Sequence, residues 1–139
     1  MTLAPLLDPL THDPGVARAL QAARDDALTA DFSAPTGARP ELVAALARAT
    51  DRPIFAITAT TREAEDLVEA LGCFLDPERV IDFPAWETLP HERLSPRSDT
   101  VGKRLAVLRR LAHPDEDDPT YGPLDVVVAP VRATCGPWP

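Results

Sequence analysis

No run in the sequence approaches the 18 or more consecutive apolar residues that a bilayer crossing needs. Nor does its start set a basic stretch ahead of an apolar block, so no secretory signal is expected. Cysteine is scarce: Cys73 and Cys135 are too few for a disulfide framework, which points to a reducing, cytoplasmic setting. His12, His91 and His113 lie far apart and neither cysteine has a second one nearby, so zinc-type spacing is missing and no metal is expected. Aromatic residues make up only 5% of the chain, leaving aliphatic and alanine packing to carry the core.

What remains is 139 residues that are 45% hydrophobic, enough for one domain with a real core and too apolar for a disordered tail. A net charge of −8 argues against coating nucleic acid by bulk electrostatics. The charge is uneven, however. Arg93, Arg97, Lys103, Arg104, Arg109 and Arg110 face a single acid, Asp99, over residues 93–110, and Asp115, Glu116, Asp117 and Asp118 form an acidic knot beyond. One reading is a solvated helix and a surface loop; the sharper one is a basic patch that meets a nucleic-acid backbone or an acidic partner.

Taken in order, residues 1–11 carry Pro5 and Pro9 and suggest an irregular arm. Asp13 and Pro14 then read as N-cap and first residue of a helix reaching about residue 27, with Val16, Ala19, Leu20, Ala23 and Ala27 on one side. Residues 28–32 are a strand candidate, followed by a glycine-bearing loop and a helix over 41–49 striped by Leu42, Ala45, Leu46 and Ala49. Residues 54–58 form a clearer strand. Thr60 and Glu63 make a capping box for a helix that Gly72 weakens and can end. Residues 124–129 are a continuous apolar run of the kind buried on both faces of a parallel sheet. With a short strand over 80–83, the alternation of strands and helices predicts an α/β fold with a parallel sheet covered on both faces.

Strand, glycine loop, helix is where a P-loop protein would cradle phosphate. The loop Ser33, Thr36, Gly37, Ala38, Arg39 lacks the chemistry: one glycine, no lysine, and Pro35 and Pro40 without amide hydrogens. It reads as a degenerate nucleotide loop. Glu87, His91 and Glu92 bring no activated nucleophile, and no catalytic set is expected.

The most distinctive stretch is 80–111. Pro84, Pro90 and Pro96 keep its loop extended, while Trp86, Leu89 and Leu94 are residues a disordered linker would not need. Ser98 and Asp99 supply N-cap chemistry for a helix whose apolar face is Val101, Leu105, Leu108 and Ala112, with Leu111 at its border and Lys103 and Arg110 opposite. Trp86, Glu87, Thr88, Leu89, Pro90, Ser95, Pro96 and Asp99 match in identity and order a run of the bacterial transcription-repair coupling factor, and the chain resembles the N-terminal region of that family over about residues 28–132. Residues 130–132 resemble its P-V-R segment, whereas 133–139 depart from the family pattern as a divergent tail. Thr60 and Arg62 lie in a segment similar to the T-R-E-L motif of superfamily-two helicases, which in that family follows the nucleic-acid backbone; the cap alone also explains them.

The resemblance implies a RecA-like half-domain over 28–132, preceded by an arm and helix over 1–27. It is similar to the damage-loading helicase of excision repair, the B component of that complex, but with the nucleotide loop lost. It implies a part of an ATP-driven DNA translocase that carries no motor and binds no cofactor. The A component of the excision-repair complex and RNA polymerase would be partners of the parent protein, with the recruiting surface mainly on a domain inserted after strand 124–129. Thr60, Arg62, Lys103, Arg104 and Arg110 are candidate backbone or partner contacts, weak contact with DNA among them; the alternative readings of the chain are the nucleotide-binding half of a superfamily-two DNA helicase, or a free-standing module that binds DNA or protein. An uncovered sheet edge would favour self-association.

Overall fold

The computed structural model describes residues 2–25, 29–86, 97–118 and 120–135. At the centre lies an open, all-parallel sheet of β1 (Ile54–Thr58), β2 (Val80–Asp82) and β3 (Val126–Pro130), ordered β1-β3-β2. Ile54 stands opposite Val126 and Thr58 opposite Pro130, while Val80 pairs with Val126 from the other side. Every residue of β3 is buried, as expected for a β-branched run with a neighbour on each edge and helices on both faces.

One face is covered by α1 (Leu7–Leu10), α3 (Arg39–Ala49) and α4 (Thr61–Leu71). Leu7, Ala44, Ala64, Leu71 and Leu75 pack there on Val80, Val126 and Val128. The opposite face is covered by α5 (Ser98–Ala112) and the short α6 (Val131–Thr134), with Phe83, Val107, Val127, Ala129 and Ala133 in contact. Helix α2 (Pro14–Arg24) packs on α3 from outside and is capped by Asp13, whose Oδ1 accepts from the Gly15 and Val16 amides at 2.8 and 3.0 Å.

Several expectations hold. β1 falls on 54–58, α4 begins at the Thr60 capping box, and it ends against Gly72. Others need correction. Residues 29–35 form no strand, because this polar stretch with Asp31 and Pro35 has few β-branched residues to present, so the sheet has three strands among the described residues. The expected irregular arm is ordered as a 3-10 turn (Ala4–Leu6) and α1, drawn in by Leu7, which is buried in the main core. Helix α5 starts at Ser98 with Arg97 at the cap position and no side-chain cap bond, so neither Ser98 nor Asp99 caps it.

Candidate functional site

Two places collect the residues singled out above. The first is the top of β1, where α3 and α4 both begin. Residues 29–35 lead into a 3-10 turn (Thr36–Ala38), held by the Ala38 amide donating to the Pro35 carbonyl at 3.0 Å, and α3 follows with Ala38 at its cap and no side-chain cap bond. Ser33, Thr36, Gly37 and Arg39 are exposed. A Cβ built on Gly37 would meet nothing within 4 Å, so no close backbone approach requires glycine there. A phosphate cradle depends on backbone amides curled around the ligand and a lysine reaching over it. Here two of the flanking residues are prolines, and the cation beside the adjoining groove is the exposed Arg39.

Beside this turn the capping box is complete. Thr60 Oγ1 accepts from the Glu63 amide at 3.2 Å, and Glu63 Oε2 accepts from the amides of Ala59 and Thr60 at 3.1 and 3.2 Å. Thr58 Oγ1 donates to the Thr60 carbonyl at 2.9 Å. The Thr60 hydroxyl is therefore engaged with its own helix, and Arg62 stays exposed on the first turn. Thr36, Arg39, Phe55, Ile57, Thr58 and Glu63 share the rim of one open groove of about 670 Å³.

The second place is the inner side of α5, and here the expected helix face is wrong. Thr100, Arg104, Val107 and Arg110 are buried, whereas Leu105 and Leu111 are 56% and 40% exposed. Arg104, only 4% exposed, lies 4.0 Å from the Phe83 ring centroid and 4.4 Å from that of Trp86. Its guanidinium donates to the Pro84 carbonyl at 2.7 Å and, more weakly, to the Ala133 carbonyl at 3.4 Å. Arg110 donates through Nε to the Gly122 carbonyl at 2.8 Å and through Nη2 to the Glu78 carbonyl at 2.7 Å. Burial pulls both guanidinium pKa values down, but arginine starts so high that both remain charged.

Arg104 and Arg110 are thus corrected from surface contacts to internal clasps. Planar, five-donor guanidinium groups satisfy carbonyls at loop ends that no aliphatic side chain could. Lys103 remains exposed, and Arg109 stacks over Tyr121 at 4.0 Å. Asp99 is exposed on the first turn of α5, and Trp86 is half-buried. Glu87, Thr88, Leu89, Pro90, Ser95 and Pro96, with His91 and Glu92, lie outside the described residues. One pair escaped the sequence reading: Arg79 meets Asp125 at 2.9 Å just before β3. Burial raises the Asp125 carboxyl above its ordinary range, the Arg79 charge opposes this, and Asp76 adds to it. Among the described residues no three His, Cys, Asp or Glu are placed to hold a metal, and no helix is long and apolar enough to cross a membrane.

An open three-stranded parallel sheet with helices on both faces and a helix clasped by buried arginines define a partial α/β domain. No family model matches the chain. It is 52% identical over 115 residues to the transcription-repair-coupling factors of Mycobacterium bovis and Mycobacterium tuberculosis, covering 82% of this chain and 9% of theirs. It is 32% identical over 96 residues to the Bacillus subtilis transcription-repair-coupling factor, covering 69% and 8%. The chain belongs to the transcription-repair-coupling factor family and spans about a tenth of the length of these relatives.

Proposed function

We propose that this chain is a non-catalytic scaffold from the RecA-like part of a transcription-repair coupling factor. It is cytoplasmic, and in the parent protein it supports recruitment of the A component of the excision-repair complex to stalled RNA polymerase. The observation that carries the non-catalytic reading is the turn at the top of β1. Pro35 and Pro40 offer no amide, Gly37 sits in open space, and no lysine follows it. A triphosphate would find neither a ring of amides nor an ammonium group there. The residues that distinguish the stretch, Arg104 and Arg110 above all, serve the fold instead of a ligand.

Equilibrium dialysis with ATP and magnesium tests the first half. No saturable binding up to millimolar nucleotide is expected, and micromolar binding lost in Arg39→Ala would overturn it. The second half is tested by capture of the excision-repair A component, which is expected to be weak with this chain and strong with the full-length coupling factor. Equal capture would show that the contact surface lies here after all. A DNA-binding role for α5 is disfavoured because Arg104 and Arg110 are internal, leaving Lys103 and Arg109 beside Arg97. Lys103→Glu is expected to leave DNA retention unchanged.

A further inference from the structure

Helix α5 grips both ends of one strand pair. β2 and β3 are paired at three positions, Val80 with Val126, Ile81 with Val127 and Asp82 with Val128. At one end the Asp125 amide donates to the Arg79 carbonyl at 2.8 Å, and at the other the Phe83 amide donates to the Val128 carbonyl at 2.7 Å. Arg110 and Arg104 stand at those same two ends. Each places one bond on a flank of β2 and another on a flank of β3: Arg110 on Glu78 and Gly122, Arg104 on Pro84 and Ala133. Both bonds on the β2 side are 2.7 Å long. From Arg104 to Arg110 the helix rises about 9 Å, at 1.5 Å per residue. Val107, midway between them, is buried against the same sheet face.

We propose that α5 and β2 form one cooperative unit that parts from β3 as a whole, so that a disturbance at either end of the strand pair is registered at the other. A stiff helix fastened to its strand at both ends leaves neither end free to open alone. Lifting Pro84 away from Ala133 tilts the helix that also holds Glu78 to Gly122. A pairing of three positions is marginal by itself, whereas β1 pairs with β3 over five and is backed by α3 and α4. The opening therefore falls between β2 and β3, and β1 stays with β3. Val80 is the side chain that the opening must withdraw from the other face, where it packs with Leu71 and Val126. The coupling is reciprocal by linkage: what Arg104 does for the Glu78 end, Arg110 does for the Trp86 end.

Native-state amide hydrogen exchange on the whole 139-residue chain reads both ends. In the unmutated protein the Phe83 and Asp125 amides are expected to share one opening constant and to respond alike to urea below the unfolding transition. The Ala56 amide, turned toward β3 by the alternation that turns that of Ile54, is expected to open at least about tenfold less often. Arg104→Met is expected to speed exchange at Phe83 and Asp125 equally, by about thirtyfold or more. Arg110→Met is expected to speed both by a factor of its own, again equal at the two amides. Arg104→Lys and Arg110→Lys keep the charge and lose the planar fork, and are expected to show the same equality at a smaller factor. Acceleration confined to the end that lost its arginine overturns the proposal. So does a difference of more than about tenfold between Phe83 and Asp125 in the unmutated protein, a measurement that stands even where a variant fails to fold. One constant shared by Phe83, Asp125 and Ala56 also overturns it, because the opening seen is then unfolding of the whole domain.

Discussion

On one face of the sheet α3 and α4 lay alanines and leucines against Val126 and Val128; on the other, α5 sets Val107 between Arg104 and Arg110, both buried. The first face is held by apolar area removed from water and, among the described residues, contains no buried charge. The second joins a smaller apolar cluster to two guanidinium groups that hold the ends of distant segments, Pro84 and Ala133 for one and Glu78 and Gly122 for the other. Burying a charge is costly unless its donors are satisfied, and here carbonyl oxygens and aromatic rings satisfy them. The contrast is between a face that tolerates repacking and a face that specifies which loop goes where.

The comparison can be broken from either side. Leu71→Ala, at a fully buried position of α4, should cost about 2–5 kcal/mol in urea unfolding, while Leu71→Met should cost under about 1.5. On the arginine face Arg104→Met keeps the length and removes the donors, leaving the Pro84 carbonyl without them. A loss of roughly 2–3 kcal/mol is expected, with Trp86 fluorescence shifting as its cation partner disappears, read in a Trp138→Phe background. A loss below about 0.5 kcal/mol would mean that the clasp is incidental. Thr60→Ala removes one half of the capping box and should cost about 1 kcal/mol, without altering β1.

The smallest effect concerns Asp125. A carboxyl whose pKa is higher folded than unfolded binds its proton more tightly in the native state. Its contribution is therefore complete below the ordinary carboxylate value and is lost as pH rises through the folded one. Asp125→Asn should flatten that part of the stability–pH profile just above pH 3.8, the ordinary value. An unchanged slope in urea midpoints across that window would assign it to other groups.

This difference between faces also explains what the sequence could reveal. Asp13 before Pro14, Thr60 with Glu63, and Gly72 after a periodic run are local signals, and the elements they bound lie where the residues place them. So is the apolar run of β3, although the strand is set two residues later than its start and includes Pro130. Helix α5 defeated periodicity because an arginine reads as polar whether it meets water or a carbonyl. The acceptors of Arg104 and Arg110 lie 12–32 residues away in sequence. Leu105 then looked like the better core residue, yet it is the exposed one. The groove at β1 was hidden for a related reason: Phe55 and Ile57 carry every mark of a core strand, and only the order β1-β3-β2 shows that no described strand stands beside them.

That order has a consequence for how the chain is made. β1 and β2 never touch each other as partners; both wait for β3, whose residues 126–130 leave the ribosome long after the other two strands. Until then α3 and α4 can gather only around an unzipped half-sheet, and every native strand pairing bridges a long loop of chain. Slow assembly is the ordinary outcome of such non-local pairing, and a nascent chain stalled before Val126 would display its unpaired strands to any chaperone within reach.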